Sequence, residues 1–162
     1  MVFRLSADSS APGAPTTFHR DTVVPASVDR TFAFFADAAN LERLTPPWLN
    51  FRILTRTPVV MQAGVAIDYD IRIHGFPIQW TSRIEVWEPG IRFVDRQIVG
   101  PYRWWNHEHR FEAVAGGTRV IDDIAYLPRF GWFTGEFVRR DLERIFAFRH
   151  NALHEIFASR GN

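Results

Sequence analysis

The stretch IDYDIRIHGFPIQWTSRIEV, residues 67–86, decides the fold, because its apolar residues recur at every second position. Its first half alternates Ile and Tyr with Asp, Arg and His. After a turn at Gly75–Pro77, the second half alternates in the same way from Ile78 to Val86. A period of two is typical of a β-strand with one apolar face and one polar face. The stretch therefore predicts a long antiparallel β-hairpin.

Further strands extend this hairpin along the chain. Turns that contain Gly or Pro separate three more strand-like runs, at residues 91–99, 103–115 and 118–127. Short connections between successive strands favour an antiparallel meander. Upstream, a strand at residues 18–24 precedes two short helices, the first of which starts after the N-cap residue Ser27.

The end of the chain has a different period. From residue 135 to residue 159, apolar side chains recur at helical spacing over about seven turns, which predicts one long amphipathic helix. This helix is the element that can cover the apolar face of the sheet. The fold class is therefore predicted to be α+β, with a curved antiparallel sheet wrapped around the C-terminal helix in one domain, residues 17–162. Residues 1–16, rich in Ser, Ala, Pro and Gly, are expected to form a disordered tail.

Composition excludes several classes of function. The 162 residues include no Cys, which excludes disulfides and thiol chemistry, and 19 basic against 18 acidic side chains give a net charge of +1. Without a basic stripe, nucleic acid is not an expected partner. No segment approaches the roughly 18 uncharged apolar residues of a membrane span. Because Met1–Leu5 is also too short for a signal peptide, a cytoplasmic protein is expected.

Arg149 interrupts the apolar face of the predicted C-terminal helix. At about 100° per residue it falls between Ile145 and Leu153, in the middle of that face. A buried guanidinium requires hydrogen-bonded or charged partners, so a strand carboxylate is expected to face it. The candidates are Asp95, Asp122 and Asp123, of which Asp122 shares the interior face by alternation. The alternative is that Arg149 anchors an anionic group or a carbonyl oxygen of a ligand.

His107 and His109 are two residues apart on a predicted strand and therefore share one face. Three interpretations remain open for the pair: structural histidines, a polar or acid–base patch, and a metal pair. Imidazole titrates near neutral pH, which suits proton transfer. A zinc site would need a third ligand from Asp95 or Asp122, and the sequence does not fix the strand register that would supply it. No metal and no cofactor are expected.

The order of elements over residues 17–158 resembles the helix-grip fold of the START-like superfamily, also called the Bet v 1-like or SRPBCC superfamily. Similarity to a bacterial subgroup of small SRPBCC proteins, the polyketide cyclase/dehydratase-like ones, is carried by several motifs. These are LTPPW at 44–48, GPYRWWNHEHRF at 100–111, GGT at 116–118 and IFAFR at 145–149. The resemblance implies a cavity between the sheet and the terminal helix, and an apolar or amphipathic ligand. It implies no particular reaction, because the superfamily includes binders, transporters, cyclases and dehydratases.

The function expected from these features is the binding of a hydrophobic or amphipathic small molecule, such as a lipid or a polyketide-like or steroid-like compound. The expected ligand contacts are Arg149, Trp80, Phe93, Trp105, His107, His109, Tyr126 and Phe146, and the expected cavity mouth is Trp48, Phe130, Trp132 and Phe133. One alternative is a cyclase, aromatase or dehydratase that uses His107 or His109 as a general acid–base and Asp95 or Asp122 to orient it. Another is a non-catalytic association domain, including a homodimer. The sequence leaves open whether the protein is an enzyme.

Overall fold

The structure is a computed structural model that describes residues 14–129 and 135–158. Its strands are β1 (Thr16–Val24), β2 (Arg52–Ile53), β3 (Ala66–Ile73), β4 (Phe76–Glu88), β5 (Arg92–Val99), β6 (Tyr102–Val114) and β7 (Gly117–Pro128). The helices are α1 (Val28–Phe35), α2 (Leu41–Leu44) and α3 (Gly135–Ala158), with short 3-10 turns at Ala38–Asn40 and Pro47–Leu49. Every predicted element is present, with boundaries within a few residues of those expected.

Capping side chains and prolines determine where the short helices between β1 and β2 begin and end. The side chain of Ser27 accepts a hydrogen bond from the backbone N–H of Arg30 at 3.3 Å and caps α1. Asp37 caps the following 3-10 turn in the same way, at 3.0 Å from the N–H of Ala39. Pro46 and Pro47 lack the N–H that a helix would need and mark the end of α2. These short helices lie along one side of the space between sheet and terminal helix.

The seven strands form one antiparallel sheet in the order β1-β7-β6-β5-β4-β3-β2. Strands β2 to β7 follow one another as the predicted meander, and β1 pairs with β7 as the edge strand on that side of the sheet. Register shifts at Thr81/Ser82 and Ile84/Val86 in β4, and at Tyr102/Trp104 in β6, interrupt the ladder. Irregularities of this kind bend strands, and they give the sheet its curvature.

Helix α3 packs its apolar face against the concave side of the sheet. Its buried residues recur at intervals of four or seven positions and are Val138, Leu142, Phe146, Leu153 and Phe157. They contribute to two core clusters, one with β1 and β7 and one with α1 and the middle of the sheet. The α+β helix-grip arrangement predicted from the sequence is confirmed. Within the described ranges, no helix has the length and apolar character that crossing a membrane requires.

The predicted domain boundary at residue 17 is slightly late. Thr16 is already part of β1, where it pairs with Tyr126. Residues 1–13, most of the predicted tail, lie outside the described residues, so its disorder stays a prediction.

Gly117 begins β7 at a point where only glycine fits. Its φ is +149°, and a Cβ there would collide with the backbone carbonyl oxygen of Val24. Gly116 also has a positive φ, +88°, but a Cβ on it would meet open space. We expect Gly116→Ala to lower the free energy of unfolding by about 1–3 kcal/mol through backbone strain. Gly117→Ala should lower the free energy of unfolding by a further 1–3 kcal/mol or so, because the backbone where β1 meets β7 must shift to make room for the Cβ.

Urea denaturation of the two variants side by side checks this prediction. Equal losses of unfolding free energy in the two variants would show that the contact with the Val24 carbonyl oxygen is relieved without cost.

Candidate functional site

A cavity of about 470 Å³ lies between the concave sheet, the short helices and α3. Alternate residues of β3, β4, β5 and β6 form its floor, and residues of α3 form its roof. The floor is the face that the sequence pattern marks as apolar, for example Ile67, Tyr69 and Ile71 on β3. The volume of the cavity falls in the range of small-molecule sites in proteins, about 300–1,000 Å³.

The cavity wall contains most of the residues expected to contact a ligand. Trp80, Phe93, Trp105, His107, His109, Phe146 and Arg149 all line it, as does Asp95. Two predicted residues do not line it. Asp122 is buried behind the wall, and Tyr126 is fully buried under the start of α3, where its hydroxyl donates to the carbonyl of Gly135 at 3.3 Å. Tyr126 shares the face of Ile124, which does line the cavity, but α3 packs over its end of the strand.

Strand register brings four polar side chains together at the centre of the sheet. Asp95 on β5 lies opposite His107 on β6, and His109 on β6 lies opposite Asp122 on β7. All four face the concave side, where Arg149 of α3 meets them. We call these five residues the charged cluster. The sequence placed Arg149 and Asp122 on interior faces and the two histidines on a common face, but did not determine this alignment.

Hydrogen bonds connect the two histidines to both carboxylates. His107 Nε2 lies 2.9 Å from Asp122 Oδ1, and His109 Nδ1 lies 2.8 Å from the same oxygen. On its other side, His109 Nε2 lies 3.1 Å from Asp95 Oδ2. His107 Nδ1 is farther from that oxygen, at 3.8 Å. His109 is therefore held between two carboxylates, whereas His107 is held firmly by one.

Arg149 meets the buried carboxylate that its position on the helix required. Its Nη2 lies 3.2 Å from Asp122 Oδ1, and the side chains of Arg149 and Asp122 are 11% and 6% exposed. The guanidinium also lies over the rings of Phe35 and Phe146, at 5.0 and 5.4 Å from their centroids. Such contacts favour a cation when the surroundings exclude water. The ion pair expected of Arg149 is present, and the residue also reaches the cavity.

The charged cluster lowers the pKa of both of its carboxyl groups. Burial would raise the pKa of Asp122, but the charge of Arg149 and hydrogen bonds from both imidazoles hold it well below its usual value. Burial likewise opposes ionisation of Asp95, and the hydrogen bond from His109, with the charges of both imidazoles, lowers its pKa. Both carboxyl groups are therefore ionised at neutral pH.

The two imidazoles are shifted in opposite directions. Burial and the neighbouring charge of His109 lower the pKa of His107, in spite of its bond to Asp122. For His109, burial acts in the same direction, but hydrogen bonds to Asp122 and Asp95 outweigh it and raise the pKa. Environments that separate the pKa values of two like groups give them different roles. Neutral His107 donates through Nε2 to Asp122, which leaves its Nδ1 as an acceptor.

Ser82 is a member of the site that the sequence analysis did not single out. Its hydroxyl donates to Asp95 Oδ1 at 3.1 Å and accepts from the indole N–H of Trp80 at 3.2 Å. The phenol oxygen of Tyr69 lies 3.3 Å from the same hydroxyl. The signal was present, because Ser82 is a polar residue in the apolar row of β4.

The cavity wall extends to the β3–β4 turn and the short helices. Trp48, expected at the mouth, lines the cavity and is 48% exposed. It packs edge-on against Phe148 of α3, with 5.9 Å between the ring centroids. On the β3–β4 turn, His74 Nε2 lies 2.7 Å from Asp141 Oδ2 of α3. The other predicted mouth residues, Phe130, Trp132 and Phe133, lie outside the described residues.

Comparison with solved structures finds the same fold in several proteins. Zhui aromatase/cyclase from Streptomyces sp. R1128 has a TM-score of 0.72 and 18% sequence identity, over 91% of this chain and 96% of that chain. A START superfamily protein from Mycobacterium smegmatis has a TM-score of 0.68 and 13% identity, over 88% and 97%. Ara h 8.0201 has a TM-score of 0.64 and 12% identity, over 90% and 99%. At such identities the likeness shows the fold alone.

Sequence comparison gives the family. No curated protein matches the chain. A family model described as polyketide cyclase / dehydrase and lipid transport matches residues 24–150, which include all of β2 to β7, only the last residue of β1, and the part of α3 that carries Arg149. The chain, with its curved sheet, its cavity and its terminal helix, belongs to the polyketide cyclase / dehydrase and lipid transport family.

Proposed function

We propose that this protein binds a hydrophobic small molecule with one polar or anionic group. The observation that carries the proposal is a largely apolar cavity of about 470 Å³ with the charged cluster on its wall. Ligand sites in proteins combine an apolar lining with a few placed polar groups in this way. Membership of a family described by cyclisation and lipid transport supports the proposal without choosing between the two.

The apolar part of the ligand would lie against the aromatic floor. Trp80 and Trp105 pack edge to face there, with 5.3 Å between their centroids, and Tyr69 stacks on Trp80 at 6.0 Å. These large, flat side chains suit an acyl chain or a fused ring system, as in a lipid, a polyketide or a steroid. The polar group of the ligand would face Arg149 and the two histidines, which line the same cavity.

Native mass spectrometry of gently purified protein tests the proposal directly. We expect a one-to-one adduct whose mass is released on denaturation and identified after solvent extraction. We also expect the stripped protein to bind a fluorescent fatty acid that the extracted compound displaces. An apo mass together with no binding of the fatty acid would contradict the proposal.

A cyclase or dehydratase activity is a second candidate, favoured by one observation. His107 is hydrogen-bonded to Asp122 through Nε2, keeps Nδ1 as an acceptor and lines the cavity, which is the geometry that general acid–base catalysis requires. An imidazole would accept a proton from a carbon next to a carbonyl group, and Arg149 would stabilise the resulting enolate oxygen. The same mass spectrometer distinguishes the candidates, because an enzyme would convert a bound poly-β-carbonyl compound with loss of water, whereas a carrier would release it unchanged.

A further inference from the structure

Asp95, His107 and His109 place three potential metal ligands around one point on the cavity wall. One ligand atom from each residue lies within 4.8 Å of the other two. The residues come from adjacent strands, so the sheet itself fixes their spacing. Nitrogen from two imidazoles and oxygen from one carboxylate form a donor set that zinc and other divalent transition metals accept.

The distances between these atoms suit a small ion. With metal–ligand bonds of about 2.0–2.2 Å, tetrahedral ligand atoms stand roughly 3.3–3.6 Å apart. Asp95 Oδ2 lies 3.1 Å from His109 Nε2 and 3.8 Å from His107 Nδ1, on either side of that range. Small side-chain rotations would therefore bring all three onto one ion.

The second ring nitrogen of each histidine and the second oxygen of Asp95 face away from this point and already form hydrogen bonds with other residues. Asp122 Oδ1 accepts from His107 Nε2 at 2.9 Å and from His109 Nδ1 at 2.8 Å. The second oxygen of Asp95 accepts from Ser82 at 3.1 Å. Ligand histidines in metal sites almost always donate their outer N–H to a carboxylate or carbonyl, which fixes the tautomer and the ring. Here one carboxylate does this for both rings.

The charge of the surroundings also suits a divalent cation. A metal ion would displace the proton that His109 Nε2 shares with Asp95. With both imidazoles then neutral, Asp95, Asp122 and Arg149 leave one net negative charge, which a divalent ion converts to one net positive charge. Asp95, His107 and His109 line the cavity, whereas Asp122 does not. An ion bound by these three residues would therefore expose its remaining coordination position to the cavity, where an anionic ligand group or hydroxide would bind.

We propose that Asp95, His107 and His109 form a divalent transition-metal site of the two-histidine, one-carboxylate type, with its open position facing the cavity. Asp122 and Ser82 are its outer positioning residues, and Arg149 fixes Asp122. The proposal does not depend on the proposed binding of a hydrophobic ligand, because zinc binding is measured without any ligand.

Titration of the full chain with metal alone tests the site. The protein is stripped with EDTA and dialysed, then titrated with Zn²⁺ by calorimetry and with Co²⁺ by visible absorption. We expect one ion per chain and the intense ligand-field bands of four- or five-coordinate Co²⁺. Asp95→Asn keeps the side-chain shape and should weaken zinc binding at least about a hundredfold. Ser82→Ala, which removes an outer partner, should weaken it about ten- to a hundredfold.

A matched control comes from a second pair of histidines. His150 and His154 are exposed on α3, one turn apart, with 4.5 Å between their ring centroids, and are a place for adventitious zinc. Replacing both with Ala should leave the binding unchanged. Loss of binding in that variant, equal binding in Asp95→Asn, or no saturable binding by the unsubstituted protein would each overturn the proposal. If Asp95→Asn does not fold, His107→Gln replaces it, and the Co²⁺ spectrum of the unsubstituted protein still decides the coordination.

Discussion

Arg149→Met is expected to lower the free energy of unfolding by about 3–5 kcal/mol, the usual cost of removing one partner from a buried ion pair. Met keeps an unbranched apolar side chain at this position but lacks the guanidinium that lies over the rings of Phe35 and Phe146. The loss therefore reports the guanidinium, because Asp122 would remain buried with only the imidazoles of His107 and His109 to stabilise its charge. Urea denaturation of EDTA-treated protein, followed by circular dichroism, measures the change.

The double variant Arg149→Met/Asp122→Asn is the control for this prediction. A buried pair replaced on both sides often costs little, whereas a buried charge left alone costs much. We therefore expect the double variant to be more stable than the sum of the two single losses implies. Additive losses would show that the two residues contribute to stability independently.

The cost of Arg149→Met should also depend on pH. In the unsubstituted protein the pKa of Asp122 is held well below its usual value, first by Arg149 and then by the imidazoles, against the effect of burial. A carboxyl group with a lowered pKa contributes stability above its unfolded pKa, about 3.9, and that contribution is lost as the pH falls through the folded value. The difference in unfolding free energy between Arg149→Met and the unsubstituted protein should therefore be largest above about pH 5 and should decrease in acid.

The sequence predicted the elements because each has a local cause. Alternation in β3 and β4, the N-cap Ser27 and the helical spacing of α3 are all readable within a few residues. The importance of Arg149 was readable in the same way, since a single cation on an apolar helix face requires a partner. Local patterns of this kind account for the order of the strands and for the position of the cavity.

The alignment of the charged cluster was not readable, because strand register depends on turns and bulges far from the residues concerned. Nothing near Asp95 shows that it lies opposite His107, or that Asp122 lies opposite His109. Tyr126 does not line the cavity for a related reason. Alternation gave its face correctly, but only the packing of α3 decides which part of that face is covered.

Ile71→Trp is expected to weaken binding of a fluorescent fatty acid between about tenfold and a hundredfold. Ile71 is 8% exposed, lines the cavity on its apolar floor and pairs with Ile78 of β4. An indole at this position would occupy space that the ligand needs, and overfilling a packed site costs about 1–3 kcal/mol. Displacement titrations of Ile71→Trp and of a matched control variant measure the effect, after circular dichroism has shown that each is folded.

The matched control places the same indole on the other face of the same strand. Arg72 is exposed and points away from the cavity, so Arg72→Trp should bind the fatty acid as the unsubstituted protein does. Loss of binding in both variants would mean that β3 is sensitive to any Trp, and unchanged binding in both would mean that the fatty acid binds elsewhere. Loss in Ile71→Trp alone would locate the ligand between the sheet and α3. The charged cluster lies on the wall of the same space, so a ligand there would have its polar group within reach of Arg149.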